Sequence, residues 1–333
     1  MNLHGRNLLK ETDLTKREFL DLVELAGRLR LHKRMGVRYN GLTGRNIALI
    51  CEKTSTRTRS AFEVAAYDEG AHVTYLGPED SRLGWEEAVK DTARVLGRMF
   101  DGIAYCGAAQ ATVETLGAYA GVPVWNGLTD DWHPTQMLAD LMTMRDNTRK
   151  RLTEVSYCYL GDGRNNVANS LLVTGAMLGM DVRICAPAPL QPSARVQEIA
   201  GKLAADTGAR LLVTADILAA VAGADFLYSD AWLSMGESAT AWGDRIHLLM
   251  PYQVNRDVMA ATGNLGVKFM HCLPALHNRD TETARRLYNT RRLTALEVTE
   301  EVFESPASIV FDQADNRLHM IKAVMVATAG DLR

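Results

Sequence analysis

Residues 46–69 read NIALICEKTSTRTRSAFEVAAYDE, and the fold is decided by how this stretch divides. Asn46–Cys51 is a short apolar run bounded by polar residues, which predicts a strand buried on both faces. From Arg57 to Glu69 the apolar side chains recur at helical spacing, as at Phe62, Ala65 and Ala66, which predicts a helix. Ser55-Thr56-Arg57-Thr58-Arg59 falls on the turn between them. A buried strand feeding directly into a helix is half of a βαβ unit, so a parallel sheet is expected.

The pattern repeats in both directions along the chain. Further strands are predicted at His72–Leu76, Gly102–Cys106 and Val122–Trp125, with a helix over Trp85–Phe100. Beyond them strands are predicted at Val155–Leu160, Asp181–Ala186, Arg210–Val213, Ala224–Ser229 and Val267–His271. The fold class is therefore α/β, with two doubly wound domains, each built on a central parallel sheet, joined by interdomain helices. A length of 333 residues suits two such domains. The polar stretch Arg145–Thr153 is the expected joint. A long helix from Ser308 to Ala329 is expected to return to the first domain, which places residues 1–148 and 318–333 in one domain and 149–317 in the other.

With 47% hydrophobic and 23% charged residues, the composition is that of a globular protein. A net charge of −3 without a basic cluster argues against nucleic acid or an anionic membrane as partner, and favours small molecules. Five cysteines without a CxxC pair indicate neither a disulfide framework nor a zinc ribbon, and imply a reducing compartment. The amino-terminal residues lack the apolar run of a secretory signal, and no run is long enough to span a bilayer, so a cytoplasmic location is expected. Repeats and low-complexity segments are absent from the sequence.

Parallel sheets bind ligands beyond the carboxyl ends of their strands, and the polar constellations fall there. Ser55–Arg59 places hydroxyls and guanidinium groups at a strand-to-helix turn, where free backbone N–H groups and the helix dipole favour an anion and Arg adds bidentate phosphate recognition. An ordinary N-cap with a solvated basic turn would account for part of this run. His133-Pro134-Thr135-Gln136 opens a helix with Pro at its first position, and His133 there is placed to donate to a developing oxyanion. Gly161-Asp162-Gly163-Arg164-Asn165-Asn166 follows a strand and admits a dinucleotide reading with Asp181 as the ribose acid, weakened because Asn166 replaces the third glycine. His271-Cys272-Leu273-Pro274 and Asp230–Gly236 also lie at strand ends. Strand-end packing explains either one alone, and the spacing does not support a metal site. Both sets of constellations are expected to face one cleft.

Taken together, Ser-Thr-Arg-Thr-Arg, His-Pro-Thr-Gln, Asp-x-x-x-Ser-Met-Gly and His-Cys-Leu-Pro-Ala, in this order, resemble the ornithine carbamoyltransferase family. The likeness runs from Asn7-Leu8-Leu9-Lys10 to Asn316-Arg317 and the last helix. The first two motifs are shared with other transcarbamylases, and the last two point to ornithine. The resemblance implies transfer of the carbamoyl group of carbamoyl phosphate to the δ-amine of L-ornithine, giving L-citrulline and phosphate, in a homo-oligomer built from trimers, with no metal and no organic cofactor. By position it implies that Ser55, Thr56, Arg57 and Thr58 hold the phosphate, and His133 and Gln136 the carbamoyl group. Asn166, Asp230, Ser234 and Met235 would hold the α-amino and carboxylate ends of ornithine. Cys272 and the Leu273 carbonyl would lie near the reacting amine, and Arg317 by the carbonyl oxygen.

The sequence departs from that pattern in the expected donor site. Cys106 stands where the family usually has Arg, Glu86 where it has Lys, Arg82 where it has Gln, and Trp85 where His is common. Losing one cation about 5 Å from a phosphate costs on the order of 3 kcal/mol at an effective dielectric near 20, or roughly a hundredfold in affinity. Arg82 is a candidate to compensate. A paralogue with another donor or with inhibitor resistance, a catalytically weak amino-acid-binding scaffold, and a dehydrogenase are the competing readings.

Overall fold

The computed structural model describes residues 2–52, 55–81, 83–232 and 242–330. The chain divides into two units, Met1–Thr143 with Asp315–Arg333 and Met144–Ala314. The division falls inside the helices Pro134–Asp146 and Val310–Ala329, not in the expected polar joint, because each helix runs on unbroken past the boundary.

The first unit contains a four-stranded parallel sheet of β1 (Asn46–Cys51), β2 (His72–Leu76), β3 (Gly102–Cys106) and β4 (Val124–Leu128), in the order β2-β1-β3-β4. Its central strands read as continuous apolar runs because helices cover both faces. Ala48, Ile50, Ile103, Tyr105 and Val124 form one core with Val113 and Leu116 of the helix Gln110–Tyr119. The edge strand β2 is only half-buried.

The second unit contains a five-stranded parallel sheet, ordered β7-β6-β5-β8-β9. Its strands are β5 (Ser156–Leu160), β6 (Asp181–Cys185), β7 (Arg210–Thr214), β8 (Phe226–Ser229) and β9 (Lys268–His271). Helix Asn166–Leu178 is buried from Val167 to its end. Gly175 lets it lie on the sheet, since a Cβ there would come within 2.1 Å of the Val182 side chain and 2.2 Å of the Tyr157 hydroxyl.

Several boundaries differ from the sequence reading, and three of the differences have a visible cause. β4 spans Val124–Leu128 where Val122–Trp125 was expected, because its register with β3 shifts after Tyr105 and the extra residue is Gly127. The helix expected over Trp85–Phe100 begins only at Val89: Gly84 turns the chain at φ 80°, and the Trp85 side chain, 85% exposed, packs on nothing that would start a helix. β8 starts at Phe226, since Asp225 is occupied in accepting the Ser156 N–H and binding Lys150. Strand order reverses between β1 and β3 in one sheet and between β5 and β8 in the other. Those two reversals are where open parallel sheets take ligands.

Candidate active site

In the first unit, the turn after β1 delivers Ser55 as the residue before the helix Thr56–Asp68. Its hydroxyl is not spent on the helix backbone; it donates to Thr58 Oγ1 at 2.9 Å. Thr58 is buried and also accepts from Arg317 Nη2 at 3.0 Å, and the same guanidinium donates to the Gly127 carbonyl at 3.2 Å. Ser55, Thr58 and Arg317 are thereby joined at a helix N-terminus, where an anion is favoured. Thr56 and Arg57 are exposed on the first turn. Arg59 is turned aside, bonded to Glu63 at 2.9 Å and stacked 3.8 Å above the Tyr75 ring.

His133 precedes the helix Pro134–Asp146 and is buried. Burial first, and then the Arg317 charge, hold its imidazole well below the ordinary histidine range, so it is neutral at physiological pH. Gln136 donates to Asp140 at 2.7 Å, while its own Oε1 is buried with no hydrogen-bond partner among the described residues. A buried acceptor left unpaired is costly, and such an atom marks a place for a ligand N–H.

In the second unit, Asp230 follows β8 and Cys272 follows β9, and the Cys272 thiol donates to Asp230 Oδ1 at 2.9 Å. Asn165 donates to the other Asp230 oxygen at 3.2 Å and to the Tyr159 hydroxyl at 2.8 Å, while its Oδ1 caps the helix Asn166–Leu178 at Ala168. Asn166, at the first helical position, is partly buried. Leu273 has φ 60°, an uncommon value for a non-glycine residue, and its N–H donates to His271 Nδ1 at 2.9 Å. Glu297 lies behind, 3.5 Å from His271 Nε2, and accepts the Leu276 N–H at 2.6 Å.

Asp230, His271 and Cys272 bring three possible metal ligands within 4.8 Å of one another. The imidazole Nδ1 accepts from Leu273, and Nε2 lies 3.5 Å from Glu297 Oε1. The turn Gly161–Asn166 does not serve a dinucleotide: Gly163 is closed in by the Leu190 carbonyl, and the Asp181 carboxylate is bonded to Arg183 and Arg210.

The expected residues thus gather as two groups, one in each unit: Ser55, Thr58, His133, Gln136 and Arg317, then Asn166, Asp230, Cys272 and Leu273. Arg82, Ser234 and Met235 lie outside the described residues. Glu86 is exposed and Cys106 buried. Sequence reasoning passed over Asn165, Tyr159 and Glu297. Asn165 had a signal in its N-cap position; the other two are recognisable only once the strands are paired.

Comparison with known proteins matches both units of the chain to one family. Residues 6–146 match the family model described as "Aspartate/ornithine carbamoyltransferase, carbamoyl-P binding domain", and residues 153–328 match its "Asp/Orn binding domain". The chain is 56% identical over 329 residues to an ornithine carbamoyltransferase of Actinobacillus pleuropneumoniae, covering 98% of both chains. It has the same identity and coverage with a catabolic ornithine carbamoyltransferase of Haemophilus influenzae. Among solved structures, the ornithine carbamoyltransferase of Pyrococcus furiosus is 39% identical with a TM-score of 0.91, all of both chains being covered. That of Gloeobacter violaceus is 36% identical with a TM-score of 0.83, over 99% of this chain and 100% of the other.

Proposed function

The chain belongs to the aspartate/ornithine carbamoyltransferase family, and from that premise we propose that it moves the carbamoyl group of carbamoyl phosphate to the δ-amine of L-ornithine, giving L-citrulline and phosphate. The observation that carries the reading is the group Ser55–Thr58–Arg317 at a helix N-terminus, beside a neutral, buried His133.

The chemistry follows from those residue types. The phosphate of the donor takes the N-terminal amides of the helix Thr56–Asp68, the hydroxyls of Ser55, Thr56 and Thr58, and Arg57. The free Gln136 Oε1 accepts from the carbamoyl NH2. A neutral δ-amine attacks the carbamoyl carbon, and negative charge grows on the carbonyl oxygen. Arg317 and His133 donate to that oxygen; His133 does so as a neutral N–H, which needs no change of protonation. A well-placed donor of this kind is worth about 3–4 kcal/mol. The bond to phosphate then breaks, and the departing phosphate takes the amine proton.

On the acceptor side, Asn166 and Asp230, with Ser234 and Met235, hold the α-amino and carboxylate ends of ornithine. The Asp230–Cys272 bond sets the thiol beside the δ-amine, and the strained Leu273 presents its carbonyl there. The protein works in the cytoplasm as a homo-oligomer of trimers, with carbamoyl phosphate and ornithine as its small-molecule partners and without metal or cofactor.

The test is direct. The purified protein is given carbamoyl phosphate and L-ornithine, and citrulline is measured beside L-aspartate as alternative acceptor and beside a Cys106→Arg variant. Citrulline from ornithine and no product from aspartate is the expected result. If both forms bind ornithine and neither yields citrulline, the assignment is wrong.

A further inference from the structure

The carboxyl ends of β1 and β3, at the strand-order reversal, carry two thiols that carbamoyl transfer does not use. Cys51 and Cys106 are direct partners in the parallel ladder, and both are buried. Just beyond them the Glu52 N–H donates to the Cys106 carbonyl at 2.9 Å, and the Glu52 carboxylate accepts from Ala108 N–H at 3.2 Å. The backbone is thus closed on both sides of the pair. Neighbouring strands lie about 4.8 Å apart, inside the Cα separation of about 4.4–6.8 Å that a disulfide spans.

The pair also borders the anion group. A Cβ on Gly127 would lie 2.6 Å from Cys106 Sγ, so the sulfur rests directly on that bulged glycine, whose carbonyl holds Arg317. We propose that Cys51 and Cys106 form a dithiol redox site that peroxide closes to an intramolecular disulfide, and that closure disables the anion group beside it.

The two sulfurs have unequal roles. The neighbouring Cys106 side chain holds the Cys51 thiol below its ordinary range, and the Arg59 guanidinium adds to this against the cost of burial. Cys106 is pushed well up, first by Cys51 beside it and then by burial. Cys51 is therefore the thiolate that attacks a peroxide oxygen; the O–O bond breaks, hydroxide leaves, and Cys51 becomes a sulfenic acid. The Cys106 sulfur then attacks Cys51, the S–O bond breaks, and the hydroxyl leaves with the Cys106 proton as water. Two thiols are oxidised and one peroxide is reduced to two waters. Drawing the sulfurs to bonding distance lifts Cys106 off Gly127 and loosens the bulge that anchors Arg317.

The experiment uses the whole protein, reduced and then exposed to hydrogen peroxide at doses that leave Cys272 alkylatable. It is alkylated under denaturing conditions and digested for mass spectrometry. The expected result is a Cys51–Cys106 peptide pair and three alkylated thiols in place of the five free cysteines. Citrulline formation should fall at least tenfold in step with the linkage, and both should reverse with dithiothreitol. Cys51→Ser and Cys106→Ser should each lack the linkage and keep their own untreated rates through the exposure. Linkage to any other cysteine, five thiols still alkylatable, or a Cys51–Cys106 linkage with unchanged turnover overturns the proposal. The mass readout stands apart from the activity assignment. If the untreated protein makes no citrulline, binding of inorganic phosphate, measured by calorimetry before and after linkage, takes the place of turnover: a loss supports the proposal, and unchanged binding overturns it.

Discussion

In the proposed mechanism Arg317 and His133 divide the work at the carbonyl oxygen in a way that kinetics can separate. Arg317 is fixed by Thr58 and by the Gly127 carbonyl. Its replacement in Arg317→Gln should lower kcat by about 10²–10³, the usual loss for one oxyanion donor, with a much smaller change in the KM for ornithine. His133 makes a different prediction because its folded-state pKa is depressed. It is neutral above the ordinary histidine range and stays so until the pH is well below it. His133→Gln should therefore lower kcat while leaving the acid limb of the pH–rate profile where it was. A limb that disappears in this variant would mean that the imidazole works as a titrating acid or base.

At the level of elements, the helix Asn166–Leu178 shows how one side chain serves fold and site together. Asn165 caps that helix through Oδ1 and holds Asp230 through Nδ2. Asn165→Ala should cost about 1 kcal/mol of stability for the lost cap, read as a lower urea midpoint, and should raise the KM for ornithine more than it changes the KM for carbamoyl phosphate. Most elements were readable in advance for a simple reason: β1 lies between Arg45 and Glu52, β2 stops at Gly77-Pro78 and β3 lies between Asp101 and Gly107, so their edges and the turns that follow coincide with a change in pattern. The errors came where the pattern misleads. Trp85 opens the helical pattern in the sequence but is exposed, and the reading that stops β4 at Trp125 falls short of the bulge at Gly127. The site residues missed from sequence were those whose role depends on a partner far along the chain, as Tyr159 depends on Asn165 and its strand register, and Glu297 on His271.

At the scale of the whole molecule, the last helix completes the first unit. Lys322 is buried on it and reaches Asp68 at 2.8 Å and Glu69 at 3.6 Å, closing the far end of the helix Thr56–Asp68. One turn earlier His319 is held at a pKa of about 4, first by burial and then, against the pull of Asp315, by Lys322, Arg30 and Lys33. With the folded value below the unfolded value of about 6.5, its neutral form supports the fold above that pH, and the support is lost as the pH falls from there through about 4. His319→Gln should flatten the fall of the urea midpoint across that window; an unchanged slope would place the acid sensitivity elsewhere. This same helix sets an order in time. The chain makes the first sheet, then the whole of the second unit, and only afterwards Arg317. At about 5–20 residues per second of synthesis, the nascent protein spends roughly 2–9 seconds with the acceptor residues already made and the anion group still lacking its arginine. On the proposed mechanism a partly translated chain is thus unable to commit carbamoyl phosphate to reaction, and competence arrives with the final helix.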